Sequence, residues 1–510
     1  MKKIIVVTII LVITLFNVNA QINKTDGPII TGNKLDVQSI IGVDNTRFYI
    51  YLEDGENVVI QGFNKKTLAK EWETKLNVDF KTNTIYDWYT NKPHYLKNGK
   101  IYVFMPVIDE KQDKGVLFYS VLDTDGKIIT NCKQIASLDD CNHRIIAGMT
   151  GNRACIFDCS ISPDSSKFLF VLLHFAEAKM AVVDLKTETQ TYDINPWVHR
   201  KHTFVISNDA KIAYDDDNEI EGEGRYLFVL ANIYDPKTKS TKKIEVNTAE
   251  KKQIGIDAGL LFTNNNKLII TSILTDNKKN KDVKQANSGF YVSQIDMVTY
   301  KKDYETFQYF SDAWRDKYKP EKLDNGWSGD WLQPRTSLYN NGNDRFIFTA
   351  VDNGYAISVC RLKKTLGVSS WKITGTAVVK VTTLGKIEWI KELPLVLKPN
   401  SRIAGYIYCA YSNKKLNYFY NDHVKNEKII DVNNVEGSKE PENINTEIGS
   451  DINTICLSYD MAGKATRTII QNNKESGFYP LYNTVWLEKN KLLVYFVDKK
   501  GEHFSALTLQ

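Results

Sequence analysis

Four large aromatic residues fall within one short stretch, Trp314, Tyr318, Trp327 and Trp331, interleaved with Asp324, Asn325 and Asp330. Flat rings beside carboxylates and amides suit stacking on sugar faces or docking a protein partner, because an aromatic gives a large contact area for little lost side-chain entropy. The same composition would also serve a loop folded over its own small core at the rim of a larger domain, and the sequence leaves both readings open. The densest run of oxygen ligands is Asp215-Asp216-Asp217-Asn218-Glu219, followed by Glu221 and Glu223. Calcium takes such oxygens, but the run lacks the alternating spacing of a calcium loop, so a solvated acidic stretch is the plainer reading. Asp123-Thr124-Asp125-Gly126 opens like a calcium loop without the closing Glu, and a hairpin turn explains it better.

Soft ligands and nucleophiles are sparse. Cys132, Cys141 and His143 match no closed zinc pattern. Cys132 and Cys141 flank a loop and are a candidate disulfide, with buried thiols as the alternative. Cys155 and Cys159 lie on one expected strand, roughly 13 Å apart at strand rise, too far to bridge. His199 and His202 fit one face of a helix, yet the region reads as strand or loop. There is no Gly-x-Ser-x-Gly, no His-Glu-x-x-His and no glycine-rich phosphate loop. No metal and no cofactor is therefore expected, and no catalytic residue is assigned. Glycosidase carboxylates come from distant parts of a chain, so spacing cannot select them among 61 acids.

The elements that must position these residues are strands. Cys155–Ile194 divides into four short strands and three turns. Lys167–His174 is a continuous apolar run, as for a strand buried on both faces, whereas Gln190–Ile194 is polar and alternating, as for a solvated edge. Buried inner strands and a polar outer one make a propeller blade. The hairpin of that unit recurs at Val58–Leu76, Val116–Ile135, Ala181–Ile194, Phe228–Val246, Phe290–Phe307, Ala377–Leu393 and Ile455–Ile470. Strand pairs precede most copies, for instance Ser39–Val43 with Arg47–Leu52 and Ile85–Tyr89 with Lys100–Val107. The period is about 50–60 residues, consistent with propeller repeats carrying insertions. The expected fold is all-β: a single β-propeller of seven or eight four-stranded blades, sealed where Pro28–Lys34 meets the last strand, Ser505–Leu509.

Residues 1–20 read as a secretory signal, with Lys2 and Lys3, an apolar core over Ile4–Phe16 and the small-residue site Val18-Asn19-Ala20. Cleavage after Ala20 would leave one domain, 21–510, with insertions near 275–287, 309–334 and 431–451, and export to the periplasm or beyond. No later segment is long and apolar enough to span a membrane. Without Lys2 and Lys3 the formal charge falls from +5 to +3, which gives no reason to invoke nucleic acid.

The hairpin "apolar strand, Asp-x-x-Gly-Lys, strand ending in Trp-x-x-x-Leu", with the openings Gly42–Glu56 and Ser160–His174, resembles blades of uncharacterised secreted propeller-like proteins of Gram-negative bacteria. The resemblance implies fold and export and carries no activity. The leading functional expectation is a non-enzymatic binding or scaffold protein presenting loops to a glycan or an envelope protein. The alternative is a polymer-acting hydrolase or lyase with carboxylates at the central channel.

Overall fold

The computed structural model describes residues 22–30, 37–54, 57–76, 84–85, 93–109, 112, 114–139, 156–174, 177–194, 203–215, 227–247, 253–276, 287–309, 344–364, 371–393, 407–426, 451–472, 484–498 and 501–509. Eight antiparallel sheets succeed one another along the chain, which settles the blade number at eight. Blade I is β2–β5 (Val37–Val43, Arg47–Asp54, Asn57–Asn64, Lys70–Leu76). Blade II is β6–β10 (Thr84–Ile85, Tyr95–Lys97, Lys100–Asp109, Lys114–Asp123, Ile128–Asp139). Blade III is β11–β14 (Ile156–Ile161, Lys167–His174, Glu177–Asp184, Thr189–Ile194) and blade IV is β15–β18 (Phe204–Ile206, Ile212–Tyr214, Leu227–Asp235, Ser240–Asn247). Blade V is β19–β22 (Gln253–Phe262, Lys267–Asp276, Asn287–Asp296, Lys302–Tyr309) and blade VI is β23–β26 (Asp344–Val351, Gly354–Lys364, Trp371–Thr382, Ile387–Leu393). Blade VII is β27–β30 (Tyr408–Ser412, Lys415–His423, Ile452–Asp460, Ala465–Asn472). Blade VIII joins β31–β33 (Thr484–Glu488, Lys491–Asp498, Gly501–Thr508) to β1 (Asn23–Asp26).

The first strands of successive blades lie side by side: β31 against β2, β2 against β7, and β11, β15, β19, β23 and β27 in sequence. They form the inner wall of the ring. The core sits between blades. Phe104, Phe157 and Phe168 fill the contact of blades II and III, and Phe290, Ile357 and Val379 that of blades V and VI. Outer strands alternate exposed and covered residues, as in β14 (Thr189–Ile194), because one face meets water and the edge pairs with nothing further.

One expectation needs correction. The ring is sealed by Asn23–Asp26, paired with Thr508–Ser505, and not by Pro28–Lys34. Pro28 has no N–H to give a ladder, and among the described residues beyond it Ile30 makes a single bridge to Glu502, while 31–34 lie outside the described residues. In blade II, Thr84–Ile85 and Tyr95–Lys97 both pair with Lys100–Asp109, and residues 86–89 of the expected strand lie outside the described residues.

The seven recurring hairpins share one turn device. Each opens on Asn64, Asp123, Asp184, Asp235, Asp296, Thr382 or Asp460, whose side-chain oxygen accepts backbone N–H groups two to four residues on. Each also holds one left-handed residue near its end. Where the preceding blade presents a large ring, that residue is glycine. A Cβ at Gly126 would stand 2.6 Å from Trp72 of blade I, and one at Gly385 2.2 Å from Tyr304 of blade V. Trp389 of blade VI covers Gly463 and donates from Nε1 to Met461 O of blade VII at 3.1 Å. Lys70–Leu76 (KEWETKL) and Ile387–Leu393 (IEWIKEL) share the tryptophan that covers the turn glycine of the next blade.

The capping carboxylates give the fold an acid limit. Lys167 bonds Asp184 and, with the N–H groups of Thr187 and Lys186, holds its pKa down at about 2. Lys267 does the same for Asp296. A lowered pKa contributes stability that is present above the unfolded value near 3.8 and lost as pH falls through the folded one. Thermal melts should therefore show stability dropping between about pH 4 and pH 2, with a shallower slope for Asp184→Asn. An unchanged slope would remove the caps from this account.

Candidate functional site

Because every blade is antiparallel, connections leave it at two faces. At one face lie the turns from first to second strand and from third to fourth, all of two to five residues. At the other face lie the second-to-third connections and the passages between blades. These include residues 140–155, 310–343 and 424–451. The turns at one face are thus uniformly short, while strand ends at the other are joined by connections as long as residues 310–343. Exposed connections on a rigid scaffold are where binding residues concentrate.

The strand ends on either side of the aromatic segment open on that second face. The segment runs from the end of β22, whose last residue is Tyr309, to the start of β23 at Asp344. Trp314, Tyr318, Trp327, Asp330 and Trp331 themselves lie outside the described residues, as do Asp324 and Asn325. So do Asp216–Glu223, Cys141, His143, Cys155, His199 and His202. Asp215 is buried and its Oδ1 accepts the N–H of Thr203, so it fastens the start of blade IV. Asp123–Gly126 is a hairpin turn, with Asp123 Oδ1 accepting from Asp125 and Lys127 and Gly126 at φ 83°. Cys132 lies inside β10, which runs to Asp139, while its expected partner Cys141 lies outside the described residues. Its N–H donates to Ser120 Oγ at 2.9 Å, and burial raises its thiol pKa.

Sequence reasoning missed a buried polar cluster at the foot of the longest second-to-third connection. Asp422, at the end of β28, is fully buried. Its Oδ2 accepts from Arg467 Nη2 of β30 at 2.7 Å. Its Oδ1 accepts the Asn426 amide at 2.7 Å and the His423 N–H at 2.8 Å. Asn426 ends a 3₁₀ turn, Val424–Asn426, and the Val424 N–H donates to Asp451 O, so both ends of the connection are tied together here. Burial raises the Asp422 pKa against the opposing pull of Arg467. Thr454 donates to Asn421 beside it, at 2.8 Å. The available signal was Asp422 close after the aromatic run Tyr418–Tyr420 and Arg467 shortly before Ile469 and Ile470.

Among the described residues, no three His, Cys, Asp or Glu side chains gather as a metal site. No helix among them is long and apolar enough to cross a membrane.

No family model matches the chain, and no curated protein matches it. The grouping with secreted Gram-negative proteins therefore rests on the hairpin pattern alone. Among solved structures, the chain is similar to the Dos1 propeller, at 10% identity over 95% of each chain with a TM-score of 0.42. It is similar to the β-propeller domain of the Trilobed protease from Pyrococcus furiosus, at 9% identity over 89% of this chain and 99% of that one, TM-score 0.35. It is also similar to the WD40 domain of Toxoplasma gondii coronin, at 8% identity over 96% and 87%, TM-score 0.33. Likenesses this distant say nothing about what the present chain binds.

Proposed function

We propose that this protein is an exported, non-enzymatic binding or scaffold propeller that presents its long-connection rim to a glycan or an envelope protein. One observation carries the reading: the connections between sheets are short at one rim and long at the other, and the aromatic segment 309–334 enters and leaves at the long one. Trp314, Tyr318, Trp327 and Trp331 supply stacking area there, and Asp330 a polar partner at its edge. The sheet scaffold holds that rim rigid, which limits the ordering cost of binding. Residues 1–20 serve as the export signal in this reading.

The test is a glycan array together with a pull-down from envelope extract, using the chain without residues 1–20 and its Asp312–Asp330 deletion. The intact chain should retain a defined glycan or protein. The deletion should lose it by at least about 30-fold, as for removal of an aromatic hot spot of about 2 kcal/mol, while melting at the same temperature. Unfolding of the deletion variant would make the segment structural and end the proposal. Shortened polymer chains after incubation would favour the hydrolase or lyase alternative.

A further inference from the structure

The short-turn rim has its own chemistry. With one flanking strand residue on either side, its fifteen turns hold 21 Lys or Arg against 12 Asp or Glu. Against totals of 66 and 61, this leaves 45 and 49 for the rest of the chain, so the molecule is polarised, basic at this rim and slightly acidic elsewhere. Seven of the acids here, Asp44, Asp123, Asp164, Asp184, Asp235, Asp296 and Asp460, are occupied in capping the N–H groups of their own turns.

The tips of the third-to-fourth turns differ around the ring. Two residues after the capping position stand Lys66, Asp125, Lys186 and Lys237 in blades I to IV, all exposed. In blades V to VII the same position holds Val298, Leu384 and Ala462. Val298 is 73% exposed and Leu384 84%, the two largest values among the exposed large hydrophobics. Neither is needed by the turn, whose geometry is set by the capping oxygen and the left-handed residue. These three turns are locked together: Thr306 of blade V donates to Gly385 O of blade VI at 2.8 Å, and Trp389 of blade VI to Met461 O of blade VII. Exposed Lys301, Lys386 and Lys464 flank the tips.

We propose that this arc seats the propeller on an anionic lipid surface, with Val298 and Leu384 entering the headgroup layer and the neighbouring lysines meeting the phosphates. Aliphatic tips standing singly on the flat end of a ring can each enter a fluid surface, whereas a protein partner would need a matched recess for each. Lysine stems can lie along the apolar layer while the ammonium stays at the phosphates. A lysine close to an anionic leaflet contributes about fivefold in partition. Seated this way, the long-connection rim faces away from the membrane, free for its own ligand.

Co-sedimentation of the chain without residues 1–20 tests this, using vesicles of phosphatidylcholine with and without phosphatidylglycerol. The expected result is at least about tenfold stronger partition onto the phosphatidylglycerol vesicles, weakening as salt rises. Val298→Asp/Leu384→Asp should lower it by about tenfold or more, and the uncharged Val298→Ser/Leu384→Ser by a smaller but measurable factor. Lys66→Glu/Lys186→Glu, the same charge change on the same rim but away from the arc, should cost less than Lys301→Glu/Lys386→Glu. Partition that is absent, equal for the two vesicles, or undiminished in both tip variants overturns the proposal. Stronger capture by soluble polyglutamate than by the vesicles also overturns it, in favour of an acidic macromolecule.

Discussion

Replacing Phe504 by Ala should lower the free energy of unfolding by about 3–5 kcal/mol and open the ring at one place. Phe504 on β33 is fully buried and meets Phe48 and Phe63 of blade I with ring centroids 4.9 and 5.0 Å away, while those two stack on each other at 5.0 Å. This triad is the apolar half of the seal between last and first blade. The polar half is β1, four residues long, whose Asp26 accepts from Ser505 Oγ and whose Lys24 donates to Gln471 of blade VII at 2.6 Å. The Gly27 N–H continues the ladder to Phe504 O at 2.8 Å. So short a strand cannot hold the ring without the rings beneath it. Denaturant titration should give the loss, and amide exchange should show β1 unprotected in Phe504→Ala. Phe168→Ala, which empties the contact of blades II and III where Phe168 stacks on Phe104 at 4.5 Å, is the control. If it exposes β1 to the same degree, the seam has no special role.

The second large effect is at Asp422 and Arg467. Removing one partner of a buried ion pair costs about 3–5 kcal/mol, because the other charge stays buried without compensation. The two single variants should then differ in their response to acid. In Arg467→Met the remaining carboxyl can take up a proton. Its folded pKa is already raised by burial and rises further without the guanidinium. A raised folded pKa means stability that is present below the unfolded value and lost as pH rises through the folded one, so Arg467→Met should regain stability as pH falls from neutral toward the unfolded value near 3.8. Asp422→Asn should not, since a guanidinium does not release its proton in this range. Asp422→Asn/Arg467→Met should lie closer to the parent than the worse single variant. Equal pH responses in the two singles would show that the pair is solvated in solution. Because the pair fastens the base of residues 424–451, both singles should also loosen that connection, seen as faster proteolysis there.

Most of the architecture was legible because propeller blades are local. Each hairpin writes its own signature: an apolar inner strand, an Asp, Asn or Thr that caps the turn, and a polar outer strand. Asp123-Thr124-Asp125-Gly126 could be told from a calcium loop for that reason, since its hydrogen bonds close on itself. The closing strand was placed a few residues late because apolar Ile29 and Ile30 outweighed polar Asn23–Asp26. An edge strand with one face in water needs no apolar pattern, only N–H groups in register.

The repeat, the all-β class and the turn chemistry can be read from the chain one short stretch at a time, since all of these are set by residues within a few positions of one another. Only the tertiary structure decided the blade number, the strand that seals the ring, the pairing of Asp422 with Arg467 and the division of connections into a bare basic rim and a long one. Those depend on which residues meet across the ring. Burial and charge at such contacts come from chain segments far apart in sequence, and no local spacing encodes them.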